Sequence, residues 1–108
     1  MSKTFLFAGA SSAIALETAL MLKENGDRVI GISTRVPEGF YDEIHRVEKY
    51  DFGVFPPLEE TIDGLVYFPG TINLKPFARL TPAEFSNDFQ VNTFGAAAFV
   101  QAYLNNLK

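Results

Sequence analysis

Hydrophobic and polar positions change period several times along this chain. Thr4 to Ala8 (Thr-Phe-Leu-Phe-Ala) is a short apolar run rich in aromatics and ended by Gly9, the pattern of a strand buried on both faces. From Ala13 to Asn25 the period lengthens. Ala15, Leu16, Ala19 and Leu22 share one face while Glu17, Lys23 and Glu24 fall elsewhere, which predicts a helix that Ser11 or Ser12 can cap and Gly26 stops. Asp27 to Arg35 follows at once with Val29, Ile30 and Ile32, a second strand. Strand, helix and strand within about thirty residues make a βαβ unit, with parallel strands and a right-handed crossover.

The pattern is less regular beyond it. Val36 to Asp42 contains Pro37 and Gly39 and reads as a loop, and Ile44 to Phe52 alternates imperfectly as a third strand ending in Tyr50-Asp51-Phe52. Pro56 to Ile62 allows only a helical turn or two. Leu65 to Phe68 is continuous and apolar, a fourth strand ending at Pro69-Gly70, and Thr71 to Leu80 is a loop with Asn73 and Pro76. Thr81-Pro82-Ala83-Glu84 is a capping box with proline at the first helical position. It predicts a helix from Pro82 to near Lys108, bent at Gly95, where Gly95-Ala96-Ala97-Ala98 permits close packing.

Composition narrows the partners. A length of 108 residues with 47% hydrophobic and 20% charged positions predicts one globular domain over 1–108. The net charge of −4, with no local basic cluster, argues against nucleic acid or an anionic membrane as the main partner. Cysteine is absent and His45 is the only histidine, so thiolate metal sites and histidine clusters are excluded. Met1-Ser2-Lys3 opens no signal peptide and no apolar run is long enough to span a bilayer, so a cytoplasmic chain is expected.

The candidate chemistry lies in the first turn. A strand that runs through Gly9, Ser11 and Ser12 into a helix starting at Ala13 and Ile14 aims unpaired amides and the positive end of the helix dipole at one spot. Phosphate is the natural guest there, and an ordinary ligand-free turn is the alternative. The spacing Gly9, Ala13, Ala15 resembles the Gly-x-x-x-Gly-x-Gly turn of short-chain dehydrogenases/reductases, with alanine at the second and third glycine positions. Arg35 stands twenty residues after Ala15, where that family uses an acid for NAD; with no acid there, the resemblance implies NADP, although a solvated loop cation reads equally well.

Other matches extend the resemblance along the whole chain. Asp51 corresponds to the family's strand-end aspartate that contacts adenine, though its chemistry also suits a turn beside Gly53. Tyr67-Phe68-Pro69-Gly70 falls at the Asn-Asn-Ala-Gly motif and keeps only Gly70. Asn92, in Gln90-Val91-Asn92-Thr93-Phe94-Gly95, matches the supporting asparagine of the catalytic tetrad. The resemblance therefore implies a Rossmann-like α/β fold, its sheet in the order 3-2-1-4. It also implies hydride transfer between a nicotinamide dinucleotide and a carbonyl or alcohol.

The family's Tyr-x-x-x-Lys pair is missing: Tyr41, Tyr50, Tyr67 and Tyr103 are followed four residues on by His45, Val54, Thr71 and Leu107. The chain thus reads as the amino-terminal half of such an enzyme, inactive alone, by truncation, cleavage or a split gene. The reading from another class is a non-catalytic dinucleotide-binding or protein-interaction module. Phe89, Phe94, Phe99, Val100, Tyr103 and Leu104 on the long helix, with the fourth strand as a sheet edge, predict a homo-oligomer.

Overall fold

The computed structural model describes residues 2–35, 41–70 and 76–108. Among these, β1 (Thr4–Ala8), β2 (Arg28–Ser33), β3 (Glu43–Arg46) and β4 (Gly64–Tyr67) form one sheet in the order β3-β2-β1-β4, with every pair parallel. The architecture is the expected Rossmann-like α/β fold. Strand β1 is central because it is apolar on both faces. Leu6 and Ala8 point to one core layer with Ile30, Ile32, Phe99 and Tyr103, whereas Phe7 points to the other with Ala15, Ala19 and Val29. Each large side chain buried this completely contributes about 1.5–3 kcal/mol.

Helix α1 (Ala13–Glu24) covers the second layer. Its alanines at 15 and 19 are the buried positions; Leu16 and Leu22, expected on the same face, are half-buried. Gly26, at φ +88°, ends the helix: its amide donates to Lys23 and that of Asp27 to Leu22, satisfying carbonyls of the last turn. The Asp27 carboxylate then accepts from the Lys3 amide at 2.9 Å, and Asp63 accepts from the Thr4 amide at 2.8 Å. Two acids thus fix the start of the central strand.

Several boundaries differ from expectation. Strand β3 ends at Arg46 and not at Phe52, because the chain bends after Val47 and then turns through Gly53, at φ +78°. Segment 56–62 forms no helix. Its carbonyls bond elsewhere: Pro56 accepts from the Tyr103 hydroxyl, and Leu58 and Glu60 accept from the Asn106 amide. Strand β4 lies one residue earlier than predicted and is only half-buried, consistent with an edge. Ile62 forms a parallel bridge with Leu107. The Asp63 amide bonds toward β1, so Leu107 lies on the side of Ile62 away from β1.

The long helix is not continuous. It comprises α2 (Pro82–Phe89), a π turn (Gln90–Phe94), and α3 (Gly95–Tyr103), followed by a 3₁₀ turn (Leu104–Asn106); the break falls just before Gly95. The capping box is present, with the Glu84 amide donating to the Thr81 hydroxyl and the Thr81 amide to Glu84. Phe99 and Tyr103, expected to add to an exposed face, are buried, because α3 covers the first core layer while α2 projects past the sheet with no buried residue. A second 3₁₀ turn, Phe77–Arg79, precedes α2. Of the loops expected from Val36 to Asp42 and from Thr71 to Leu80, residues 36–40 and 71–75, Asn73 included, lie outside the described residues.

Candidate functional site

The carboxyl ends of β1, β2 and β4 open onto a crevice of about 560 Å³, within the range of small-molecule sites. Gly9, Ser11 and Ser12 line one wall. Gly9 has φ +77°, and a Cβ there would stand 2.8 Å from the Pro69 ring, so the turn after β1 and the chain leaving β4 meet at a position only glycine fits. Ser12 caps α1 through its hydroxyl, which accepts from the Ala15 amide at 3.1 Å, while its carbonyl accepts from Leu16. The amides of Ala13 and Ile14, in a turn without intrahelical acceptors, remain for whatever lies over the helix end.

The alanines at the two substituted glycine positions part company. Ala15 is fully buried against Phe7, Ala19 and Val29, so its methyl belongs to the core and not to the crevice; Ala13 is exposed at the mouth. Ile14 is 71% exposed, which leaves its backbone and not its side chain as the group near the turn.

Behind the turn, buried Ser33 donates to the Ser11 hydroxyl at 3.0 Å and accepts from the Arg35 amide at 3.1 Å. The backbone of Arg35 is thereby fixed to the end of β2 while its side chain is exposed on the crevice lining. Tyr41 holds the turn from outside the crevice. Its ring meets Phe7 edge-on, and its hydroxyl donates to the Ala10 carbonyl at 2.5 Å. Burial pushes the Tyr41 phenol up to about 12, so it stays protonated at neutral pH.

Glu48, Lys49 and Tyr50 complete the lining after β3, and the Thr34 amide donates to the Tyr50 hydroxyl at 3.3 Å. Asp51 is not among these residues. It stands beyond the crevice, where the Phe52 amide, then Gln90 and Lys49, hold its carboxyl below the usual range. Gly70 and Val91 line the far wall. Asn92 lies on the π turn beside Gly70; a Cβ on Gly70 would come within 3.3 Å of its side-chain oxygen. The turn, Arg35 and Gly70 are therefore brought to one crevice, with Asn92 at its rim and Asp51 outside.

No protein-family model and no curated protein sequence matches the chain. Solved structures do. Aldohexose dehydrogenase of Thermoplasma acidophilum in ligand-free form superposes with a TM-score of 0.78 at 23% identity, over 97% of this chain and 44% of that one. The chain has the fold of short-chain dehydrogenases. A short-chain dehydrogenase family protein of Francisella tularensis gives a TM-score of 0.80 at 15% identity, over 100% and 48% of the two chains. MoeE5 in complex with UDP-glucose and NAD gives 0.69 at 15% identity, over 95% and 33%. The chain spans about half the length of the first two neighbours.

Glu48, Tyr50, Tyr41 and Tyr67 were not predicted as site residues. Tyr50 and Glu48 were hidden by the overlong third strand, whose imperfect alternation after Val47 was the available signal. Tyr41 falls within the loop expected from Val36 to Asp42, which gave no pattern. Among the described residues, no helix is long and apolar enough to cross a membrane, and no cluster of acids and histidine could hold a metal ion.

Proposed function

We propose that this chain is the dinucleotide-binding part of an oxidoreductase acting on a carbonyl or alcohol, with NADP(H) preferred over NAD(H), in a cytoplasmic setting. The bound nicotinamide would supply or accept the hydride. The chain's own residues bind and orient: the amides of Ala13 and Ile14 with Gly9, Ser11 and Ser12 hold the pyrophosphate, and Arg35 the ribose 2′-phosphate. Glu48 and Tyr50 border the adenine in the place assigned from sequence to Asp51, and Gly70 borders the far half of the dinucleotide. Asn92 supports a proton relay whose Tyr-x-x-x-Lys members this sequence lacks.

The observation that carries the reading is the position of Arg35, fixed through Ser33 at the end of β2 with its side chain on the crevice and no acid beside it on that strand end. Calorimetric titration with NADPH and NADH tests it. NADPH should bind more tightly, and Arg35→Ala should remove about 1.5–3 kcal/mol of that preference, the scale of a hydrogen bond to a charged group. Equal affinities, or a preference unchanged in the variant, refute it. Absence of binding by either favours an interaction module. The exposed Phe77, Phe85, Phe89 and Phe94 around α2 support that second reading, and equally a homo-oligomer of the first.

A further inference from the structure

Tyr67, the last residue of β4, meets the π turn twice. Its hydroxyl donates to the Val91 carbonyl at 2.5 Å, and it lies so close to Gly95 that a Cβ there would overlap the phenol oxygen. The same Cβ would come within 3.0 Å of Tyr50. A π turn redirects helical hydrogen bonds from the fourth to the fifth residue, as the Gly95 amide does here by bonding to Gln90, and this frees a carbonyl inside the helix. A freed carbonyl in a half-buried place needs a donor. Tyr67 provides one, and the Gln90 side chain adds a tie by donating to the Tyr50 carbonyl at 3.2 Å.

The π turn forms the crevice wall. Val91 lines the crevice, and Asn92 stands against Gly70. An unbroken α-helix through 82–103 would turn the residues preceding the π turn by about 100° relative to α3, because the extra residue would no longer be absorbed. Burial, with a smaller contribution from neighbouring Tyr50, pushes the Tyr67 phenol up to about 12, so the donor persists at neutral pH.

We infer that Tyr67 is a positioning residue whose phenol, seated against Gly95, keeps the π turn in register and so holds Val91 and Asn92 at the crevice. The effect on cofactor affinity rests on the nucleotide reading above; the effect on the helix does not.

The test is Tyr67→Phe, followed by hydrogen exchange and by NADPH titration. Amides of residues 91–96 should exchange about tenfold faster with those of β1 and β2 unchanged, and NADPH should bind about tenfold more weakly, the effect of one lost buried hydrogen bond. Gly95→Ala should lower the urea midpoint with Tyr67 present and lower it less in the Tyr67→Phe background, since the overlapping oxygen is then gone. Unchanged exchange at 91–96, a rise spread evenly over the sheet, or equal Gly95→Ala effects in both backgrounds would overturn the inference. Faster local exchange with unchanged NADPH affinity would overturn the role at the crevice. If the unmodified chain binds no NADPH, the nucleotide reading fails, and exchange and the Gly95 comparison still decide whether Tyr67 holds the turn.

Discussion

Replacing Gly9 by alanine tests whether the turn and the chain after β4 are built against each other. Two costs apply. An L-residue at φ +77° loses roughly 1–2 kcal/mol, and a Cβ at 2.8 Å from the Pro69 ring adds overpacking of about 1–3 kcal/mol, since a proline ring joined to its own backbone has little freedom to retreat. The expected loss is about 2–5 kcal/mol, large against the ~5–15 kcal/mol that holds a domain together. Two other glycines serve as references. Gly26 has φ +88° but no atom within 4 Å of the place a Cβ would take, so Gly26→Ala should cost only the backbone part, roughly 1–2 kcal/mol. Gly70 meets only the Asn92 side chain, at 3.3 Å, and Gly70→Ala should cost least. Urea unfolding monitored by far-ultraviolet circular dichroism gives all three, and with a slope of about 1–3 kcal/mol per molar the Gly9 variant should shift by about 0.7 M or more. A Gly9→Ala loss no greater than that of Gly26→Ala would refute the close approach of Pro69.

Other outcomes follow from the same structure. Asp27 and Asp63 have folded pKa values lowered first by the amides of Lys3 and Thr4, so their stabilisation is present above the unfolded value near 3.9 and is lost as pH falls through the folded values. The urea midpoint should therefore hold from pH 7 to about 5 and decline below about 4, less steeply in Asp63→Asn; an acid limb unaltered in that variant contradicts the assignment. Ser12→Ala should cost about 1 kcal/mol of stability through loss of the α1 cap, and an unchanged melting temperature would count against that cap. The chain should leave the rate of NADPH oxidation with ketones and aldehydes at the protein-free level, and saturable turnover would place the chemistry elsewhere. Light scattering after size exclusion should show a dimer or higher species at micromolar concentration, given Phe77 at 80%, Phe89 at 59% and Leu104 at 58% exposure; a stable monomer refutes it.

The sequence disclosed the sheet because its signals were local and agreed: an apolar β1, a capped α1 with Gly26 at its end, and a β-branched β2. Where tertiary contacts decide, it did not. Segment 56–62 has too few residues to reveal whether its carbonyls turn back into a helix or bond to Tyr103 and Asn106, which are more than forty positions away. The π turn has no period of its own, and the Tyr67 phenol that bonds to it sits on a distant strand. Among the candidate site residues, Gly9, Ser12 and Arg35 were legible through spacing from one turn. The neighbourhood of Asp51 was misplaced because the third strand was carried past Arg46, where β3 ends.

The central strand imposes an order on folding. The start of β1 touches the start of β2 across 24 positions of sequence, but it touches the start of β4 across 59, so β1 acquires its second neighbour only after a much longer loop has closed. Closure of that loop pairs β4 with β1, and the layer above them is completed only when α3 lays Phe99 and Tyr103 over Leu6 and Ile30. During synthesis the β1–α1–β2 unit therefore emerges with the free edge of its most apolar strand unpaired until β4 follows, and with the layer over Leu6 and Ile30 uncovered until Phe99 and Tyr103 have left the ribosome. A nascent chain in that state presents an apolar strand edge to its surroundings, and it is in this interval, rather than in the finished fold, that the protein is most exposed to misassembly.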